Sequence, residues 1–258
     1  MDTGRLKNIA IIILLLVNVA FGGILLWERA YEADAQAKSW NELTQVLQRL
    51  GISLEEGVLP ADETVYRCAV SRDLASDSLL TQSLLGEAAM QDQGGNIYYY
   101  ENENGWARYR SSGSFEITLL SAAGSLEERM ADGGLSFLRE GSEYVCDFDG
   151  LPVFNCRFSL SAVQGGGVRI SGRRLPGLPQ LGEAGEALNA ETVLLRFLDQ
   201  ISASGAVFRS IRQIRQGYML SSSVSGGELL PVWQISTDGG VWYMDAQQGS
   251  LLSGMGGA

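Results

Sequence analysis

From Ile9 to Trp27 the chain has nineteen consecutive uncharged residues, and Asn18 is the only strongly polar one among them. A helix of that length is roughly 28 Å long, which matches a bilayer hydrocarbon core of about 30 Å. Arg5 and Lys7 precede the run, so the positive-inside tendency places the N-terminal side in the cytoplasm. Trp27 stands where an aromatic ring meets the outer interface. The expected layout is a cytoplasmic tail (1–8), a transmembrane helix (9–27) and an extracytoplasmic remainder, so a single-pass protein of the cell membrane.

Two other readings of the run compete with an anchor. A cleaved signal peptide needs an apolar stretch of about 7–15 residues followed by a small-x-small site. Ala20-Phe21-Gly22 is a poor site, because the apolar stretch continues through Ile24, Leu25, Leu26 and Trp27. No cysteine follows that would carry a lipid. A buried helix of a globular core rarely shows nineteen uncharged residues behind a basic start.

Beyond the anchor the chain is acidic. Without Asp2, Arg5 and Lys7, 17 basic residues face 29 acidic ones. Such a surface repels nucleic acid and anionic headgroups, so neither is an expected partner. The sequence contains no histidine. That removes Ser-His-Asp and Cys-His nucleophilic sites and His-ligated zinc sites at once. The three cysteines, Cys68, Cys146 and Cys156, fit no metal motif. With Asp149-Gly150 as a two-residue hairpin turn, Cys146 and Cys156 point to opposite faces of the ribbon, and buried free thiols are the favoured reading.

The class expected for the outer part is α+β. Residues 28–50 carry Ala30, Ala33, Ala37, Trp40, Leu43, Leu47 and Leu50 at helical spacing, as a juxtamembrane helix ended by Gly51. A first module (51–139) contains strands in "ISLEEGVLP" and "TVYRCAV", then the helix "LASDSLLTQSLLGEA". Three hairpin strands follow in "NIYYYE", "GWARYR" and "SFEITLL", and then a helix broken near Gly133-Gly134. A second module (140–258) has "EYVCDFDGLPVFNCRFSLSAV" as two strands and "GGGVRISGRRL" as a third. "PGLPQLGEAGEA" reads as a linker, and a helix capped by Asn189 precedes three strands, the last pair turned by Asp238-Gly239.

No enzyme signature survives inspection of the chemistry-bearing residues. Gly165-Gly166-Gly167 and Gly133-Gly134 lack phosphate-loop spacing and read as turns. Asp147 and Asp149 form a D-x-D pair, but Phe158 stands where a calcium loop needs glutamate. Tyr98, Tyr99, Tyr100, Trp106 and Tyr109 are either a sugar-binding platform or ordinary sheet packing. Arg209, Arg212 and Arg215 alternate faces in a strand, so at least one must be paired or lie at an edge. No catalytic, cofactor or metal residue is assigned. The one interaction face the sequence offers is in the anchor: Ile11, Leu14, Asn18, Gly22 and Leu25 share a side of the helix. Gly22 lets another backbone approach, and Asn18 either bonds across that interface or is simply tolerated in a passive anchor.

These pieces together resemble the YycI family, the membrane-anchored regulatory proteins of the WalK–WalR (YycG–YycF) two-component system of low-GC Gram-positive bacteria. The segments that carry the resemblance are "MDTGRLKNIAIIILLLVNVAF", "LLGE…YYYENENGWARYRSSGSFEI", "YVCDFDGLPVFNCRFSL" and "LPVWQISTDGGVWYMDAQQGSLL". The resemblance implies one transmembrane helix, a pair of extracytoplasmic α+β modules and no catalytic residues. It also implies control of a sensor histidine kinase governing cell-wall metabolism, through helix contacts in the membrane and with a YycH-like companion. In addition, the "GLPVF" and "YMDAQQG" hairpins look like PepSY or thermolysin-propeptide modules, which are associated with restraint of peptidases.

Overall fold

The computed structural model describes residues 40, 42–55, 65–121, 124–184, 187–223 and 226–252. The anchor face of Ile11, Leu14, Asn18, Gly22 and Leu25 lies outside them. Among the described residues no helix is long and apolar enough to cross a membrane. The chain divides into a unit ending at Ser53 and a larger one beginning at Leu54. In the first, helix α1 covers residues 42–50 and ends at Gly51, where Ile52 N–H reaches back to the Leu47 carbonyl at 3.0 Å. The two-residue strand β1 (Ser53–Leu54) lies at the division.

The larger unit is α+β. Its elements are β2 (Tyr66–Ser71), α2 (Leu74–Leu85), β3 (Ala89–Asp92), β4 (Ile97–Asn102), β5 (Gly105–Arg110), β6 (Ser114–Leu119), α3 (Leu126–Asp132) and β7 (Phe137–Glu140). There follow β8 (Glu143–Phe148), β9 (Leu151–Val163), β10 (Gly167–Arg173), β11 (Pro179–Ala184), α4 (Ala190–Ser204), β12 (Ser210–Ser223), β13 (Gly226–Thr237) and β14 (Gly240–Asp245). The antiparallel run β3-β4-β5-β6-β10-β9-β8-β7 forms one stretch of sheet. A second stretch is β11-β2-β13-β12, with β14 beside the far half of β13. Strand β9 joins the two through a parallel pairing of Val153 with Tyr218. There the backbones approach so closely that a Cβ on Gly217 would lie 2.5 Å from the Pro152 carbonyl oxygen.

Alternation in β5 and β6 puts Ala107, Tyr109, Phe115, Ile117 and Leu119 on one face, and all are buried. Helix α2 covers that face with Leu80, Leu84 and Leu85. Burial of each such side chain contributes about 1.5–3 kcal/mol. Its polar residues find partners underneath. The Thr81 hydroxyl lies 3.0 Å from that of Tyr109, and Ser78 Oγ lies 3.2 Å from that of Tyr100. Helix α4 starts where Asn189 Oδ1 accepts from Thr192 N–H at 2.9 Å, the cap expected from the sequence. Its Phe197 packs between Phe208 and Trp242.

Three details differ from the sequence expectation. The stretch expected as a linker contains β11, with Pro179 opposite Val70 and Leu181 opposite Cys68. A proline is tolerated there because it opens an edge strand. Strands from either side of residue 140 interleave, since β2 lies between β11 and β13 and β6 pairs with β10. A division near residue 140 therefore does not separate two sheets. Finally, β8 and β9 slip register: Tyr144 faces Phe158 and Val145 faces Arg157, yet Asp147 faces Pro152. The slip keeps Cys146 and Cys156 in one core cluster instead of on opposite faces.

Candidate functional site

A cleft of about 350 Å³ opens where four segments converge: the start of α2, the residues after α3, the β8–β9 turn and the connection from β10 to β11. The local sequence explains the convergence. Asp149 and Gly150 both have positive φ, 55° and 80°, which makes the tight turn that holds Phe148 and Asp149 at the mouth. Gly133 and Gly134 end α3 and turn the chain toward Leu135 and Ser136.

The floor is Arg174, only 5% exposed. Its Nη1 donates to Ser76 Oγ at 3.0 Å and to the Leu175 carbonyl at 3.1 Å, while Nη2 donates to Asp77 Oδ1. Arg72 donates to the other oxygen of Asp77. The two guanidinium groups also lie over the rings of Tyr109 and Tyr98, each 5.3 Å from the centroid. Burial pushes the Asp77 carboxyl upward, opposed by the charges of Arg174 and then Arg72. Arg174 is thus a pillar between α2 and the β10–β11 connection. Sequence reasoning missed this trio; its trace was an aspartate inside an otherwise apolar helical pattern and the Arg173-Arg174 pair.

The two aspartates of the D-x-D pair are separated in role. Asp147 Oδ2 accepts from Ser136 Oγ at 3.1 Å, and its Oδ1 is buried without a partner among the described residues. Asp149 is exposed on the turn. No group of three or more acidic, cysteine or histidine ligands gathers among the described residues. Cys146 forms part of the cleft wall, and burial pushes its thiol up to about 12. Cys156 is raised too, by burial first and then by the neighbouring Cys146. Both are free thiols, as is Cys68. With Leu135, Phe148 and Leu175 on its walls and Leu178 79% exposed at its rim, the cleft suits an apolar segment that brings a donor to Asp147.

The remaining candidates fall elsewhere. Gly165 and Gly166 lie in the β9–β10 turn, and Gly167 opens β10 opposite Val163. Arg215 is paired with Glu140 and donates to Gln234 Oε1 at 2.9 Å. A bulge between Ile211 and Gln213 sends Arg212 outward, while Ile211 and Ile214 remain buried. Of the five aromatics, Tyr100 and Tyr109 face α2, Tyr98 lies under Arg72, and Tyr99 and Trp106 face the opposite way.

No family model and no curated protein matches this sequence. Among solved structures, an uncharacterized protein from Eubacterium rectale ATCC 33656 is similar to this chain. Its TM-score is 0.48 at 11% identity, over 78% of this chain and 89% of that one, a likeness that carries no functional argument.

Proposed function

We propose that this protein is a membrane-anchored, non-enzymatic regulator of a sensor histidine kinase of the WalK (YycG) type, acting beside a YycH-like companion. The observation that carries the reading is the uncharged run from Ile9 to Trp27 behind Arg5 and Lys7, with Asn18 and Gly22 on one face. The cleft floored by Arg174 supplies a second, extracytoplasmic contact place. A regulator of this kind works only if it binds the two states of the kinase with different affinity. Asn18→Leu and Gly22→Ile are expected to weaken co-purification with the kinase while the outer unit stays folded. Leu178→Asp, at an exposed rim position, is expected to do the same from outside. Unchanged co-purification in all three variants overturns the reading.

A second reading has its own support. The "GLPVF" segment, which looks like that of PepSY modules associated with restraint of extracytoplasmic peptidases, leads into β9 directly after Asp149 of the cleft lining. It predicts inhibition of a secreted peptidase by the full chain in detergent, abolished by Leu178→Asp.

A further inference from the structure

We propose that the solvent face of β4, β5, β6 and β10 is a saccharide-binding surface. Strand alternation divides the aromatic cluster of this sheet into two sets. Tyr100 and Tyr109 are committed to the core, 3% and 1% exposed. Tyr99 and Trp106 stand on the other face, only partly buried, with ring centroids 6.0 Å apart and planes inclined by 27°. The two stacked rings form an apolar strip on a face that also carries Ile97 and is otherwise polar, with the Arg108 guanidinium 6.0 Å from the Trp106 ring centroid. Core packing does not account for them, because the residues in register with Tyr99 are Gln91 and Arg108 and those in register with Trp106 are Glu101 and Thr118.

Beside the strip lies a preorganised charged ladder. Arg108 Nη2 donates to Glu116 Oε2 at 2.7 Å, and Arg169 Nε lies 3.5 Å from Glu116 Oε1. The side chains of Arg108 and Arg169 are 40% and 45% exposed, so their other N–H groups face water. A hollow of about 170 Å³ runs between Arg108, Arg110, Ser114, Glu116 and Ser171. Thr118 sits in register between Trp106 and Arg169 and is 4% exposed, yet its hydroxyl has no partner among the described residues. A buried hydroxyl without a partner costs about 1–3 kcal/mol.

A pyranose with equatorial hydroxyls matches this arrangement. Its C–H face stacks on aromatic rings, and the hydroxyls around its edge need planar side chains that donate and accept in pairs. Arginines bridged by a glutamate provide both. Nucleic acid would also use stacking and arginine, but Glu116 and Glu101 on this face and a net charge of −11 oppose a polyphosphate. The ligand class is therefore an uncharged oligosaccharide of such pyranoses. This inference stands whether or not the kinase reading does.

The test uses the full chain in lipid nanodiscs, because maltoside detergents are themselves saccharides. Chitotetraose and cellotetraose are titrated while tryptophan fluorescence and calorimetric heat are followed. At least one is expected to bind saturably, and Trp106→Ala to weaken it tenfold or more. Trp106→Phe retains most of the affinity, and Glu116→Gln reduces it severalfold, with unchanged melting in all variants. Absence of saturable binding by the parent chain overturns the proposal. So does binding that Trp106→Ala leaves intact, or binding of oligo-dT in preference to either sugar.

Discussion

Asp77 shows how far a single residue can depend on its surroundings. It is 1% exposed and bonded to two arginines, one of which, Arg174, is itself 5% exposed. Such a group contributes little as a net interaction, yet removing one partner strands a buried charge, at about 3–5 kcal/mol. Arg174→Met is therefore expected to lower the unfolding free energy by about 3 kcal/mol, read by urea denaturation. The triple variant Arg72→Met, Asp77→Leu and Arg174→Met should recover much of that loss, because none of the three bonded charges is then left behind. Additive losses in the triple variant would show that Arg174 acts through packing alone.

At the scale of elements, the β7–β8 hairpin is tied to β9 and β12 by one carboxylate. Glu140 accepts from Arg157 Nη2 at 2.9 Å and is bonded to Arg215. Burial by itself would raise the Glu140 carboxyl, but the bonds and charges of Arg215 and Arg157 outweigh it and hold it below the usual carboxylate range. A depressed folded-state value means the stabilisation is fully present above the unfolded-state pKa of about 4.3 and is lost as pH falls through the folded value. Glu140→Gln should thus be less stable than the parent at pH 6.5, and the gap between their urea midpoints should close below about pH 4. A gap independent of pH would mean the glutamate contributes by shape and not by charge.

For the whole molecule, the decisive quantity is where the first 27 residues end up. The anchor reading predicts that the chain stays with membranes through alkaline carbonate extraction and that its intact mass includes residues 1–27. Recovery of a soluble chain beginning near residue 23 would make Ala20-Phe21-Gly22 a cleavage site and remove the kinase proposal. The saccharide-binding face would be unaffected, since it lies wholly within β4, β5, β6 and β10.

Local chemistry was enough for most elements. Period-two alternation in "GWARYR" and "SFEITLL", the Asp149-Gly150 and Asp238-Gly239 turns and the Asn189 cap each act within a few residues, so the sequence alone determined those strands, hairpins and helix α4. It also determined the acidic charge, the absence of histidine and the apolar run at Ile9–Trp27. What depended on residues far apart in the chain had no such signal. β11 becomes a strand only because β2, more than a hundred residues earlier, offers it an edge. Arg174 meets Asp77 across 97 positions, and the slip between β8 and β9 gathers Cys146 and Cys156 into one core. Alternation announces that aromatics divide between two faces, but only the helix packed on one of them decides which face is core and which is open to a ligand.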